Sequence, residues 1–329
     1  MQNAAVPSRK TSLTGVKPTG VPHLGNYLGA IRPALRLTRD YQGLYFIADY
    51  HALTTERDPK ALRSATYDVT ATWLASGLDP KTTLLFRQAD VIEVFELAWV
   101  LSCVVATGQL ERGHAFKDAI AKGNKAPNAG IFYYPVLMAA DIILYDTNVV
   151  PIGRDQEQHL EIARDMAQRV NHLWGEGTLV VPEALITEAP LVPGFDGEKM
   201  SKSRGNGFSI FTGQKDLRKQ VMKFVTTSEP LEAPKEPAGS VWELYKLLAT
   251  DDEQAALAQK LRAGNYGWGH AKQDLFEALD RELAPMRERY EGLRGDEKAL
   301  DEILADGAAR ARVIARRTMA RVRGAIGID

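Results

Sequence analysis

The chain has 329 residues, 45% of them hydrophobic and 25% charged, which is typical of a soluble globular protein of about two domains. Its 41 basic and 42 acidic residues give a formal net charge of −1, which excludes a small basic protein that coats nucleic acid but allows a local basic surface. The single cysteine, Cys103, excludes a disulfide framework or a cysteine-based zinc site, and we expect a buried free thiol.

The N-terminal residues 1–11 predict a flexible leader. They are polar and mildly basic and lack the apolar segment of a secretory signal. Glu93 and Glu96 interrupt the strongest apolar stretch, so no membrane span is expected. We therefore expect a soluble, cytoplasmic protein.

From residue 12 to about 186, short apolar segments alternate with helical patterns. The predicted strands are 12–16, 43–48, 83–86 and 148–153. The predicted helices are 23–38, 58–76, a largely buried one at 91–105, one that begins at Pro135, and 156–169. The composition of 122–130 predicts a mobile loop. This alternation predicts a parallel sheet with right-handed crossovers.

The pattern changes after about residue 186, first to a linker rich in Pro and Gly and then, from Gln214, to helices. In the last segment, Ile314, Thr318, Val322 and Ile326 form a core-facing stripe, with Asp306 as the expected N-cap. The predicted fold is α/β, with a Rossmann-like parallel-sheet domain and an all-helical C-terminal domain. The predicted boundaries are 12–193 for the sheet domain, 194–213 for the linker, 214–293 for the helical domain, and 294–329 for helices that pack back on the first domain.

A strand, a glycine-containing turn and a helix start follow one another between Thr14 and Tyr27. A helix N-terminus after the first strand of a parallel sheet is an anion site, because free N–H groups and the helix dipole face the ligand. His23 can donate a hydrogen bond to a phosphate, and Gly25 allows close approach of a backbone or an adenine. Alone, such a turn also fits a purely structural role.

A second polar segment, Gly197–Asn206, carries Lys199 and Lys202 on a loop rich in Gly and Ser. Lysine is a mobile point charge, which suits a loop that folds over a polyphosphate. Alone, the segment is equally explained as a solvated basic loop. The two segments together favour a nucleotide site.

Together these segments resemble the paired motifs of class I aminoacyl-tRNA synthetases. His23–Asn26 is similar to the first motif, and Lys199–Ser203 matches the second (KMSKS) without change. Tyr134–Asp141, Val150–Gln156 and His159–Glu161 narrow the resemblance to the tryptophanyl-tRNA synthetases, over nearly the whole chain from about residue 12.

The resemblance implies that tryptophan and ATP form tryptophanyl-adenylate and pyrophosphate, after which tryptophan is transferred to tRNA(Trp). The substrate's own carboxylate attacks, so catalysis rests on positioning and electrostatic stabilisation. It also implies Mg²⁺ carried by the phosphates, and a homodimer with its interface on the sheet domain. The 91–106 helix belongs either to that interface or to the core.

The resemblance implies catalytic roles for His23, Asn26, Lys199 and Lys202, and no protein metal ligands. The implied ATP-binding residues are Lys17, Thr19, Gly20, His23, Gly25, Asn26, Gly153, Asp155, Lys199, Met200, Ser201, Lys202 and Ser203. The implied tryptophan-binding residues are Leu13, His51, Tyr134, Met138, Asp141 and Gln156.

Asp141 is the best candidate for reading the indole, whose single N–H is a donor. Its sequence neighbours are apolar, and a carboxylate there needs a partner. Met138 would lie against the ring, and Gln156 with Tyr134 would hold the α-amino group. His51 follows the second strand and is either a pocket residue or a structural histidine.

Some positions depart from the family pattern. Lys17 stands where many members carry Gln, and Arg204-Gly-Asn replaces the common Asp-Pro-Asn. Either departure leaves room for altered activity. Lys117, Lys122 and Lys125 are all available for pyrophosphate, and the sequence does not decide among them.

The helical half is expected to hold the anticodon end of the tRNA. Arg310, Arg317 and Arg321 share a face of the last helix, where they contact phosphates or pair with nearby acidic residues. Tyr266 and Trp268 are either stacking platforms or core residues. The alternatives to a tryptophan enzyme are a tyrosyl-tRNA synthetase, another nucleotidyltransferase, and an auxiliary paralogue with a binding role.

Overall fold

Five parallel strands form one sheet in the order β3-β2-β1-β4-β5. The structure is a computed structural model that describes residues 9–111, 116–117, 121, 127–187, 190–202 and 204–329, apart from the side chain of Asp155. The strands are β1 (Thr11–Val16), β2 (Gln42–Ile47), β3 (Leu84–Arg87), β4 (Val149–Ile152) and β5 (Glu183–Ile186). The predicted parallel sheet is confirmed, and β5 is a strand that the sequence analysis missed, since it is short and largely exposed.

The strand order reverses beside β1. The chain places β2 and β3 on one side of β1 and β4 and β5 on the other. Ligands of parallel α/β sheets bind outside the carboxyl ends of the strands at such a switch point. The residues that follow β1 and β4 therefore define where the site lies.

Alternate residues of β2 face the two hydrophobic clusters that cover the sheet, as the two-residue period of a strand requires. Leu44 and Phe46 pack into one cluster, and Tyr45 and Ile47 into the other. The second cluster continues without interruption into the helical half of the chain. One core thus joins the second face of the sheet to the C-terminal helices.

Helices cover both faces of the sheet. After β1 the chain forms a short helix α1 (Leu24–Asn26), a π-helical turn (Tyr27–Ile31) and α2 (Arg32–Leu37). The other helices of the sheet domain are α3 (Asp49–Ala52), α4 (Pro59–Ala75), α5 (Glu93–Ser102), α6 (Thr107–Glu111), α7 (Ala129–Ile143) and α8 (Glu157–Trp174). Asp58 caps α4 by accepting the Lys60 N–H.

After the linker, helices begin at Gln214, the residue from which the sequence pattern predicts them. The helices of this half are α9 (Gln214–Val221), α10 (Gly239–Lys246), α11 (Asp251–Ala263), α12 (Trp268–Arg294) and α13 (Glu297–Ile326). None of the helices in the described ranges is both long and apolar enough to cross a membrane.

The last helix, α13, lies against β3. A β-carbon at Gly307 would overlap the carbonyl oxygen of Leu85, so glycine is required for this close approach. Arg316 pairs with Glu93 at 3.1 Å, Arg321 pairs with Asp146, and Arg323 pairs with Glu96. Arginines of this helix thus form ion pairs within the protein, mostly with acidic residues distant in sequence.

Two predicted helix starts are wrong. Helix α7 begins at Ala129, because Asn128 caps it by accepting the Ile131 N–H, and Pro135 lies inside the helix. Helix α13 begins at Glu297, capped by Asp296. Asp306 lies in its middle, where it pairs at 3.0 Å with Arg310 one turn later.

Cys103 is exposed, so the prediction of a buried thiol is wrong. It ends α5, whose outer face is not covered by the other residues that the structure describes. Ile92 is 61% exposed and Trp99 73% exposed, so the segment 91–105 is buried on one face only. The stripe on α13 does face the core, with Thr318 and Val322 fully buried and Ile314 and Ile326 half-buried.

Residues 1–8 of the expected leader and residues 122–126 of the expected loop lie outside the described residues.

Candidate active site at the switch point of the sheet

A cavity of about 780 Å³ opens at the carboxyl ends of β1 and β4, where the strand order reverses. All six residues that were predicted to contact tryptophan line it: Leu13, His51, Tyr134, Met138, Asp141 and Gln156. Lys17 and Gly153, from the predicted ATP site, also line it. Most of the remaining wall is apolar, so the cavity suits a flat apolar ligand with a few polar groups.

Asp141 is the buried charge of this cavity. It lies on α7 and is 2% exposed. Its Oδ2 is 2.9 Å from His51 Nε2, and Gln88 Nε2 donates to both carboxylate oxygens at 2.8 and 2.9 Å. Burial raises the pKa of Asp141, while the hydrogen bonds of His51 and Gln88 oppose that rise. His51 is 9% exposed. It lines the cavity and also holds Asp141.

Tyr134 lies between two imidazole rings. Its ring centroid is 5.5 Å from that of His51 and 5.7 Å from that of His159, both edge to face. Its hydroxyl donates to the Met138 sulfur at 3.7 Å. The Nδ1 of His159 is 3.0 Å from Gln156 Oε1, so His159 orients the glutamine that was predicted to hold the α-amino group.

Lys17 reaches the cavity wall just after β1. Its ammonium donates to the hydroxyls of Thr54 and Thr55 at 3.2 and 3.1 Å. Partial burial lowers its pKa from the ordinary value. Hydroxyl partners do not neutralise the ammonium, which therefore favours an anionic group of a ligand in the cavity.

His23 and Asn26 form a capping box at the start of α1. The Asn26 N–H donates to His23 Nδ1 at 3.3 Å, and the His23 N–H donates to Asn26 Oδ1 at 3.2 Å. Because Nδ1 accepts, the proton of the neutral ring is on Nε2, which is then free to donate. Burial and the neighbouring Lys202 both lower the pKa of His23, which favours this neutral form.

The lysine loop folds back against this helix start. Lys202 Nζ donates to the Thr19 carbonyl at 2.9 Å, and the Leu24 N–H donates to the Phe208 carbonyl at 3.0 Å. Lys199 is exposed on the same loop. The side chain of Asp155 and all of Ser203, both predicted to bind ATP, lie outside the described residues.

Asn206 holds the shape of that loop and was missed by the sequence analysis as a site residue. It is 4% exposed. Its Oδ1 accepts the Ser201 N–H at 2.8 Å, and its Nδ2 donates to Asp196 and to the Lys199 carbonyl. Arg204, which departs from the family pattern, lies 3.6 Å from Glu198 in an exposed pair.

Among the remaining candidates, Lys117, Tyr266 and Trp268 do not line the cavity. Lys117 is exposed, and Lys122 and Lys125 lie outside the described residues, so the choice among them stays open. Tyr266 donates to Asp274 and Trp268 to Thr227, and both rings pack against the core of the helical half.

The fold and these contacts define a class of protein. A parallel sheet with a cavity at its switch point, a His-containing helix start beside it and a lysine loop folded over that start form the architecture of a class I aminoacyl-tRNA synthetase. The family model "tRNA synthetases class I (W and Y)" matches residues 8–284. The chain belongs to this family, and the resemblance seen in the sequence is confirmed.

Relatives within the family are similar over almost the whole chain. The tryptophan–tRNA ligase of Xanthomonas axonopodis pv. citri (strain 306) is 46% identical over 96% of this chain and 76% of its own length. That of Fusobacterium nucleatum subsp. nucleatum is 43% identical over 97% of this chain and 98% of its own. The structure of the Campylobacter jejuni tryptophanyl-tRNA synthetase complexed with ADP and tryptophan has 42% identity and a TM-score of 0.90, covering 96% of this chain and 99% of that one.

Proposed function

We propose that this protein is a tryptophan–tRNA ligase, which activates tryptophan with ATP and then transfers it to tRNA(Trp). One observation carries the proposal. A buried carboxylate, Asp141, lies in a mainly apolar cavity on the same edge of the sheet as the helix start at His23. The relatives named for tryptophan, at 42–46% identity, support this substrate over tyrosine.

The cavity accounts for recognition of the amino acid. The indole N–H donates to Asp141, and Met138 and Leu13 contact the flat ring. Gln156, oriented by His159, and Tyr134 hold the α-amino group. Lys17 attracts the carboxylate of tryptophan or the α-phosphate of ATP.

The chemical step needs no nucleophile from the protein. An oxygen of the tryptophan carboxylate forms a bond to the α-phosphorus of ATP, and the bond from that phosphorus to the bridging oxygen of the β-phosphate breaks. Pyrophosphate leaves with the bonding electron pair. The protein contributes position and positive charge where negative charge develops.

The residues around the helix start and the lysine loop supply that charge. The Nε2–H of His23 donates to phosphate oxygens, and Lys202 and Lys199 stabilise the departing pyrophosphate. Asn26 fixes the imidazole through the capping box. The other predicted ATP contacts are those of the turn, of β4 and of the loop: Thr19, Gly20, Gly25, Gly153, Asp155, Met200, Ser201 and Ser203.

Mg²⁺ fits this arrangement as a phosphate-bound ion. The described residues contain no group of three or more His, Cys, Asp or Glu side chains placed to hold a metal. Mg²⁺ binds few protein ligands when substrate phosphates are available, and it would neutralise charge on them.

The remaining proposals concern partners. Single-stranded anticodon bases would meet the helical half, and tRNA use places the enzyme in the cytoplasm. We propose a homodimer through the outer face of α5, because Trp99 and Ile92 expose apolar surface there.

ATP–pyrophosphate exchange across all twenty amino acids tests the proposed function. We expect exchange with tryptophan and little with tyrosine, followed by charging of tRNA(Trp). Exchange with tyrosine alone would identify a tyrosine enzyme. Exchange without charging of any tRNA would favour another nucleotidyltransferase or an auxiliary paralogue.

A further inference from the structure

Gln88 is a buried side chain that contacts Asp141, a residue of the cavity wall. It begins the 3₁₀ turn Gln88–Asp90 that directly follows β3, and it is 1% exposed. It does not line the cavity, so no ligand contact accounts for its burial. A polar side chain this deeply buried needs partners for both ends of its amide.

Both ends of the Gln88 amide are used. Its Nε2 donates to both oxygens of Asp141, and its Oε1 accepts the Tyr50 N–H at 3.1 Å. A backbone N–H is an obligatory donor and a carboxylate an acceptor, so the orientation of the amide is determined by these two partners. Gln88 therefore ties Asp141 to the backbone that follows β2.

The short helix α3, which carries His51, and the turn that begins with Gln88 are also tied to each other. Asp49 Oδ1 accepts the Tyr50 N–H at 2.9 Å and the Ala89 N–H at 3.1 Å. The first N–H lies in α3, which follows β2, and the second lies in the turn that follows β3. The two segments that present donors to Asp141 are thus joined through the Asp49 carboxylate and two backbone N–H groups.

The two oxygens of the Asp141 carboxylate accept different numbers of hydrogen bonds. Oδ2 meets both His51 and Gln88, whereas Oδ1 meets Gln88 alone among the described residues. An ionised carboxylate has about four acceptor sites. With Oδ2 filled, the acceptor site that remains on Oδ1 is the one available to a ligand N–H.

We infer that Gln88 is a positioning residue for selection of the amino acid, which orients the Asp141 carboxylate so that Oδ1 accepts the indole N–H of tryptophan. The inference rests on the proposed function and deepens it. Gln88 acts through Asp141 and touches neither ATP nor the reacting atoms.

A pair of substrates isolates this role. Gln88→Met keeps the length and volume of the side chain but removes the amide. We expect the KM for tryptophan in ATP–pyrophosphate exchange to rise about tenfold, the loss typical of a hydrogen bond to a charged group, with the KM for ATP unchanged. Benzothienylalanine has a sulfur in place of the indole N–H, so its KM should change less than twofold.

A matched variant and a second substitution complete the experiment. Gln109→Met removes a similar hydrogen bond, from Gln109 Nε2 to Asp165 at 2.8 Å, and should leave both KM values unchanged. In Gln88→Glu, the new carboxyl donates to Asp141 only while protonated, so the KM for tryptophan should approach the wild-type value at low pH and rise at high pH.

The outcomes separate the two proposals. An unchanged KM for tryptophan in folded Gln88→Met, or an equal rise for both amino acids, would overturn the positioning role, since the second result means only looser packing. Wild-type enzyme that exchanges with tyrosine and not tryptophan would instead overturn the proposed function.

Discussion

The two ends of the candidate site differ in how their polar side chains are held. At the amino-acid end, Asp141, His51 and Gln88 are at least 91% buried and hold one another by hydrogen bonds. At the phosphate end, Asn26, Lys199 and Lys202 are exposed. The first group is fixed by its mutual hydrogen bonds, whereas the exposed lysines have room to move.

The difference follows from what each end must recognise. An indole offers one donor and an apolar face. Selectivity therefore requires a carboxylate fixed in a buried, apolar wall, where a polar group left without a hydrogen-bond partner costs binding free energy. A polyphosphate carries much charge and changes geometry during the reaction, so mobile point charges suit it. We expect substitutions at the two ends to affect different kinetic constants.

Lys202→Ala should have the largest effect. Removing one charged donor at the phosphate end should slow adenylate formation about 100- to 1,000-fold while tryptophan binding stays nearly intact. Single-turnover measurement of adenylate and equilibrium titration with tryptophan check the two parts. Lys81→Ala, at an exposed lysine away from the site, should change neither. A normal rate in Lys202→Ala would remove this lysine from the reaction.

Asp141→Asn should act mainly on tryptophan affinity. The indole loses its charged acceptor, which should cost about 1.5–3 kcal/mol of binding free energy. Equilibrium titration of the variant with tryptophan measures it. Asp165→Asn, at a remote and partly buried carboxylate that also accepts from a glutamine, is the matched control. Equal tryptophan affinity in Asp141→Asn would mean that the indole is read elsewhere.

Lys17→Met should have a smaller effect, which shows whether this lysine acts at the amino-acid end or the phosphate end of the site. Loss of its charge should raise the KM for tryptophan or for ATP about three- to tenfold, since it is only partly desolvated. Steady-state exchange with each substrate varied in turn identifies which. Lys60→Met, at an exposed lysine of α4, should leave both constants unchanged. Two unchanged constants in Lys17→Met would contradict a role for this ammonium in binding.

Asp49→Asn should have the smallest effect, and on stability rather than catalysis. Burial raises the pKa of Asp49 to about 6, above its ordinary value of 3.8. The folded state therefore favours the protonated acid, and its contribution to stability falls as pH rises from about 4 to 6. Asparagine retains the Oδ1 acceptor without the charge.

The free energy of unfolding of Asp49→Asn should accordingly rise relative to the wild type across that pH range. Urea unfolding at pH 4.5 and at pH 7 measures the difference. A difference that is the same at both pH values would show that Asp49 does not titrate in this range.

Sequence patterns predicted the sheet well and the helix ends poorly. The strands β1 to β4 are short apolar runs with clear borders, and parallel pairing follows from the helices between them. The predicted helix starts at Pro135 and Asp306 were wrong because both residue types are common at helix starts. Asn128 and Asp296, which provide the caps, are equally good candidates and lie earlier in the chain.

The six residues proposed to contact tryptophan were named from motifs and line the cavity, but the side chains that hold the site in place were not named. Gln88 and His159 hold other side chains, and Asn206 holds the backbone of the lysine loop, at sequence separations from 3 to 53 residues. For Gln88 one signal existed, since it follows a predicted strand at the carboxyl edge just as His51 follows another. Period and spacing do not report which side chains meet across such an edge.

The sequence alone determined the parallel α/β fold, the family, and the residue types that we propose to face tryptophan and ATP, because these depend on local periodicity and on short contiguous motifs. The tertiary structure decided that Asp141 is held by two donors from other strand ends. It also decided that Cys103 and Trp99 face outward, and that the arginines of α13 pair with Glu93, Glu96 and Asp146. Those outcomes depend on which surfaces meet after folding. The sequence around a charged residue or a thiol does not show which partner it will contact in the folded protein.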